Sequence, residues 1–155
     1  LKNNIIPDLS NTFDLNLFNT FRSYILNHKR NVLKIHNDER GIFCELVRSN
    51  SESQFSYSTT APNIVRGNHF HTRKIERFVV VKGKALVKLR RIDSNEIFEY
   101  ILSENENAII DIPIWYTHNI KNIGDNELLT LFWINEFFDD NNPDTYINKV
   151  WINLN

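Results

Sequence analysis

The sequence predicts an all-β sandwich or barrel with one short helix at its head, and three observations carry that prediction. From Asn31 onward the apolar residues fall in short runs rich in β-branched and aromatic side chains. Turn signals separate the runs: Lys82-Gly83-Lys84, Asp93-Ser94-Asn95 and Gly124-Asp125-Asn126. Within Val87-Lys88-Leu89 and Phe98-Glu99-Tyr100, apolar and polar residues alternate as half-buried antiparallel strands require.

Taken in order, residues 8–27 carry the helix signal. Asp8, Ser10 and Asn11 are candidate N-caps, and Phe13, Leu17, Phe21 and Ile25 recur at i, i+4. Asn27-His28 and Lys29-Arg30 then end it with polar and basic residues. The strand expectations are Val32–Ile35, Ile42–Val47, Phe55–Ser58, Ile64–Val65, Phe78–Val81, Ala85–Leu89, Ile97–Leu102, Ala108–Ile112 and Leu128–Ile134. The aromatic, acidic tail from Phe137 is expected to be irregular until about Val150. Many short strands at this spacing suit a sandwich or barrel.

Composition narrows the function classes. The chain has 155 residues with a formal net charge of -1, and no basic stripe, so it lacks the electrostatic drive for nucleic-acid binding. Its apolar runs fall far below the ~20 residues of a membrane span, and no signal-peptide pattern opens it. The single cysteine, Cys44, excludes an internal disulfide framework and fits a reducing compartment; the expected location is cytoplasmic. The four glycines stand too far apart for a G-x-G-x-x-G or Walker loop, so no NAD(P) site is expected here. From the start at Leu1 and the absence of Met, the chain is expected to be a piece of a longer protein.

The chemistry-bearing residues lie in two places. His69 and His71 stand at i, i+2, which in a strand puts both side chains on one face, roughly 6–7 Å apart. Glu76 follows, Gly83 closes the next strand in a tight turn, and His118 lies between Pro113 and Asn122. An H-x-H pair alone is structural more often than not; His69, His71, Glu76 and His118 together form a mixed N/O ligand set. Such a set suits Zn, Fe, Mn or Ni and leaves one or two positions open. Lys74 and Tyr116, close to these ligands in sequence, are the candidates for proton transfer, and Arg40 and Arg66 for a diphosphate. Each has a plainer reading: Lys74 as a solvated surface lysine, Tyr116 as a barrel-wall aromatic, Arg40 as a turn salt bridge with Asp38-Glu39. Cys44 reads as a small buried residue, and His28 and His36 as surface or structural histidines.

The spacing His69-x-His71-x(4)-Glu76-x(6)-Gly83 resembles the first motif of the cupin superfamily, and Pro113, His118 and Asn122 most of the second. Asn107 and Trp115 stand where the second motif usually has glycines. More closely, Arg66-Gly67-Asn68-His69-Phe70-His71 with Lys74 and Glu76 is similar to the C-terminal cupin domain of the bifunctional capsular polysaccharide enzymes of CapF type. Thr117-His118-Asn119-Ile120, Trp133-Ile134-Asn135-Glu136, Phe138-Asp139 and Asn142-Pro143-Asp144-Thr145-Tyr146 continue the resemblance over roughly residues 32–150. Residues 8–26 resemble the end of that family's N-terminal reductase domain, a short-chain dehydrogenase fold. Asp38-Glu39-Arg40-Gly41-x-Phe43-x-Glu45 is more loosely similar to the opening of dTDP-4-dehydrorhamnose 3,5-epimerases.

The resemblance implies an all-β cupin, RmlC-like jelly-roll barrel over residues 32–155, behind a helical linker (1–31) from a missing dehydrogenase domain. It implies Zn²⁺ on His69, His71, Glu76 and His118, with Asn68 and Asn119 joining Arg40 and Arg66 as substrate-binding candidates. The implied activity is C3 epimerisation of a UDP-linked 2-acetamido-2,6-dideoxy-4-keto-hexose for a capsule or surface polysaccharide. The reductase domain and a second copy in a homodimer are the implied partners. The alternatives are a sugar-nucleotide 3,4-ketoisomerase, an Fe(II) dioxygenase, or a non-catalytic sugar-binding or dimerisation cupin.

Overall fold

The computed structural model describes residues 5–24, 32–50, 53–106 and 108–151. The elements in chain order are β1 (Ile5–Ile6), α1 (Thr12–Ser23), β2 (Ile35–Asp38), β3 (Gly41–Ser49), β4 (Ser53–Thr60), β5 (Val65–Phe70) and β6 (Glu76–Lys82). They continue with β7 (Lys84–Arg91), β8 (Ile97–Ser103), β9 (Ile109–Ile112), β10 (Tyr116–Asn122), β11 (Leu128–Ile134) and β12 (Tyr146–Ile147). One sheet runs β1-β3-β4-β11-β6-β9 with β2 added on β3; the other runs β12-β5-β10-β7-β8. This is the jelly roll the sequence predicts. Among the described residues no helix is long and apolar enough to cross a membrane.

The core lies between the sheets because both contribute alternate residues to it. Phe78 and Val80 of β6, Ala85, Val87 and Leu89 of β7, Ile110 and Ile112 of β9, Ile120 of β10 and Leu128 of β11 are all buried in one cluster. Each of the larger ones, Ala85 aside, contributes about 1.5–3 kcal/mol by leaving water. Gly83 joins β6 to β7 at φ +91, and a Cβ there would lie 3.3 Å from the Leu128 Cα, so the turn wants glycine.

Several boundaries differ from the sequence expectation. Helix α1 is shorter than 8–27: of the candidate caps Asn11 acts, accepting from the Asp14 N–H, and Ile25, Asn27-His28 and Lys29-Arg30 lie outside the described residues, as does Asn107. The strand expected at Val32–Ile35 forms at Ile35–Asp38, where it pairs with β3 across the Glu39-Arg40 turn. Strand β5 extends to Phe70 instead of stopping at Val65. Strand β10 was not anticipated, since Tyr-Thr-His-Asn-Ile-Lys-Asn has no apolar alternation; tertiary pairing with β5 on one side and β7 on the other makes it a central strand. The tail is not wholly irregular either, because β12 pairs with β5. Strand β8 is an edge strand that leaves Phe98 and Tyr100 exposed, with only Leu102 buried.

Candidate metal centre

Pairing brings the ligand set together. His69 stands opposite His118 in the β5–β10 ladder, so residues 49 positions apart become neighbours. Gly67 makes that approach possible: at φ +93, its missing Cβ would sit 2.9 Å from the His118 carbonyl oxygen. The ladder shifts register between His118 and Asn119, at the same close approach. Glu76 opens β6 in the facing sheet and points into the same space. The ligand atoms of His69, His71, Glu76 and His118 all lie within 4.8 Å of one another.

Burial makes this arrangement costly unless something joins the four. His71, Glu76 and His118 are 5%, 7% and 1% exposed. His71 Nε2 lies 3.5 Å and His118 Nε2 2.8 Å from Glu76 Oε2, but neither contact has hydrogen-bond geometry, which leaves His71 Nε2 and Glu76 Oε2 without a hydrogen-bond partner. Buried polar atoms are nearly always satisfied, so two orphans aimed at one point fit a shared cation. Burial, reinforced by His118, pushes His69 down to about 3, so the ring is neutral and free to ligate near neutral pH. Burial alone would raise Glu76, but the facing His118 and His71 imidazoles hold its carboxyl well below the usual range. At His71 burial pulls downward, and the Glu76 carboxylate more than offsets it. Beneath the site Phe78 forms an apolar floor, edge-on to His118 at 5.8 Å and to Phe132 at 4.8 Å.

A cavity of about 730 Å³ opens over His69, His71 and Glu76, walled by Leu33, Phe43, Ile134 and Phe138 with Lys74, Glu45, Glu136 and Arg48 among them. Lys74 is 3% exposed, which corrects its reading as a solvated surface lysine. Its Nζ donates to the Pro143 carbonyl at 2.6 Å and stands over the Phe138 ring at 5.5 Å. Burial lowers its amine below the usual lysine range.

The other sequence candidates lie elsewhere. Tyr116 does not line this cavity; its ring packs against the core. Arg40 forms an exposed turn pair with Asp38 at 2.5 Å, the plainer of its two readings. Arg66 donates to Thr60 Oγ1 and the Thr59 carbonyl. Asn68 and Asn119 bond each other at 2.9 Å, and the Asn68 carbonyl accepts from the Asn148 N–H, so both serve the C-terminal segment. Asn122 closes the β10–β11 turn, donating to Thr60 and Asn126 carbonyls and accepting from the Gly124 N–H. Trp115 takes the left-handed backbone (φ 66) that the motif's usual glycine would allow without strain. Cys44 is buried, as expected.

Sequence reasoning missed Asp144 as a site residue. Its backbone carbonyl faces His71 Nδ1 at 2.5 Å, and its carboxylate accepts from the N–H groups of Thr72, Arg73 and Lys74. The signal available was its place in the Asn142–Tyr146 run that continues the family resemblance, in a segment without periodicity.

Comparison with known proteins agrees with this fold. The chain superposes on the capsular polysaccharide assembling protein CapF from Staphylococcus aureus with TM-score 0.86 and 39% identity, covering 96% of this chain and 40% of that one. It is 34% identical over 135 residues to the UDP-2-acetamido-2,6-beta-L-arabino-hexul-4-ose reductase of Pseudomonas aeruginosa, covering 86% of this chain and 36% of that protein. It is also 31% identical over 124 residues to the protein of Haloferax volcanii named "Probable low-salt glycan biosynthesis epimerase Agl13", covering 72% of this chain and 80% of that protein. The chain thus spans well under half of the first two. The family model of the polysaccharide biosynthesis C-terminal domain matches residues 36–146, and this chain belongs to that family.

Proposed function

We propose that this chain is a metal-dependent sugar-nucleotide epimerase domain. Its substrate is a UDP-linked 2-acetamido-2,6-dideoxy-4-keto-hexose destined for a capsule or surface polysaccharide, and the reaction inverts C3. The observation that carries the reading is the convergence of three histidines and Glu76, two of their atoms orphaned, at the floor of a cavity large enough for a sugar nucleotide. The names of the relatives support the substrate class: one is a reductase of a UDP-linked hexulose, another a glycan epimerase.

His69, His71, Glu76 and His118 would hold the ion, Zn²⁺ by their chemistry, with Fe, Mn or Ni compatible. A bound divalent ion supplies a Lewis acid for the carbonyl next to the reacting carbon. The chain's own residues do the rest. A proton α to a ketone is removable by a positioned base, and Lys74 is the buried amine on the cavity wall whose ordinary range is lowered toward that role. Phe43, Ile134 and Phe138 give the cavity apolar walls around it. Lys74 takes the proton from one face of C3, and a proton drawn from solvent is added at the other face, with no net redox change. Tyr116 is left out of this assignment because it packs against the core and does not line the cavity. The proposal includes an N-terminal reductase domain as partner, a cytoplasmic setting and a homodimer, for which the exposed Ile97, Phe98, Tyr100 and Ile101 of β8 supply apolar surface.

The test is proton NMR of the protein with the UDP-linked 4-keto sugar in D₂O, with and without a chelator. Chelator-sensitive loss of the C3 proton signal is the expected result. A product with the carbonyl moved to C3 would identify a ketoisomerase instead. Binding without exchange in a zinc-loaded protein would refute autonomous catalysis.

A further inference from the structure

We propose that Asp144 is the positioning residue of the metal centre: it clasps the His71–Lys74 loop from two sides and thereby fixes which nitrogen of His71 faces the ion. The proposal rests on the metal-centre reading for its consequence, but its structural core stands on the metal-free protein.

A neutral imidazole carries one N–H and one lone pair, and whichever nitrogen meets a pure acceptor must hold the hydrogen. His71 Nδ1 meets the Asp144 backbone carbonyl at 2.5 Å, whereas Nε2 stands 3.5 Å from the Glu76 carboxylate without a hydrogen bond, so Nδ1 is the donor and Nε2 keeps its lone pair. Nε2 is the atom left unpartnered beside Glu76. Partners of this kind fix ring orientation and ligand basicity at metal sites.

The carbonyl comes from 73 residues away along the chain, so something must hold it in place. The Asp144 side chain does so. It is fully buried and accepts from the Thr72 N–H (3.1 Å), the Thr72 hydroxyl (2.6 Å), the Arg73 N–H (3.0 Å) and the Lys74 N–H (3.2 Å). Carboxylate bonds to backbone amides are the stronger, charge-assisted kind. Asp144 also sits at φ 45, a strained conformation that persists where the surroundings over-determine it. The residue before it extends the clasp, since the Pro143 carbonyl receives the Lys74 amine. Beyond it, β12 pairs Ile147 with His69, and Arg90 binds the carbonyls of Lys149 and Val150 and the Asn148 side chain. The segment from Pro143 to Val150 is a strap anchored at its far end and aimed at the metal loop at its near end.

The experiment uses the full chain, labelled with ¹⁵N and stripped of metal, at about pH 9 where imidazoles are neutral. Long-range ¹H–¹⁵N spectra report the His71 tautomer, and zinc competition reports affinity. Wild type is expected to show only the Nδ1–H form. Asp144→Ala is expected to show mixed tautomers and roughly 10–100-fold weaker zinc binding, with far-UV circular dichroism and saturating stoichiometry unchanged. A folded Asp144→Ala protein with the pure Nδ1–H form overturns the proposal, as does a wild type with the Nε2–H form. If Asp144→Ala does not fold, Asp144→Asn and Thr72→Val carry the same readout, and an unaltered tautomer in both overturns it. Should wild type bind no zinc, the metal reading fails by itself, and the tautomer comparison still decides the role of Asp144.

Discussion

Gly67→Ala tests whether the approach of β5 to β10 is what assembles the site. The native φ of +93 is one that L-residues avoid, a cost of about 1–2 kcal/mol. The added Cβ would lie 2.9 Å from the His118 carbonyl oxygen and 3.1 Å from the Asn119 Cα. Both contacts are backbone, so no side chain can swing aside, and separating the strands adds overpacking strain of about 1–3 kcal/mol. A total near 3 kcal/mol corresponds to a fall in Tm of about 6–12 °C at this chain length. Because the displaced strands carry His69 and His118, zinc affinity should fall as well. Gly124→Ala is the internal control: its backbone does not have positive φ, and the nearest atom to its Cβ is at 3.5 Å, so stability should change by less than ~0.5 kcal/mol. Thermal unfolding followed by circular dichroism and zinc competition read the two effects. A Gly67→Ala protein within about 2 °C of wild type, with unchanged affinity, would refute the argument that this contact sets the site.

Glu76→Gln keeps the shape but removes the one anionic ligand, so zinc affinity should fall at least tenfold while the fold persists, as competition titration and circular dichroism would show. Arg90→Ala strands the carbonyls of Val150, Lys149 and Ser94 beside a 3% exposed position, and should cost about 2–4 kcal/mol in denaturant unfolding; Arg90→Lys should recover only part, lacking the fork. Arg40 holds the Asp38 carboxyl at about 2, down from 3.8, chiefly by its side-chain hydrogen bond. A depressed carboxyl contributes stability above its unfolded value and loses it as pH falls from about 4 through about 2. NMR titration should find Asp38 near 2 in wild type and only partway back toward 3.8 in Arg40→Ala, whose backbone N–H still donates to the carboxylate.

The ligand set was legible because its spacing encodes geometry. An i, i+2 pair in a strand shares a face whatever surrounds it, and the glutamate begins the next strand after a short turn. What brings His118 to that pair was less so. Strand β10 reads Tyr116-Thr117-His118-Asn119-Ile120-Lys121-Asn122, polar at most positions, and it is a strand only because β5 and β7 flank it. Polar residues within it could be read as ligands or as structure, and only partners decide. Asn119 bonds Asn68, and Asn122 bonds three backbone groups. The arginines follow the same logic, since Arg40 and Arg66 are occupied locally by Asp38 and by the β4 end. Asp144 is the converse case. Its role depends on contacts with residues 71–74, made by a backbone carbonyl and a carboxylate at one position. A carbonyl leaves no mark in the identity of its residue, so orienting groups of this kind become visible only when the chain is closed on itself.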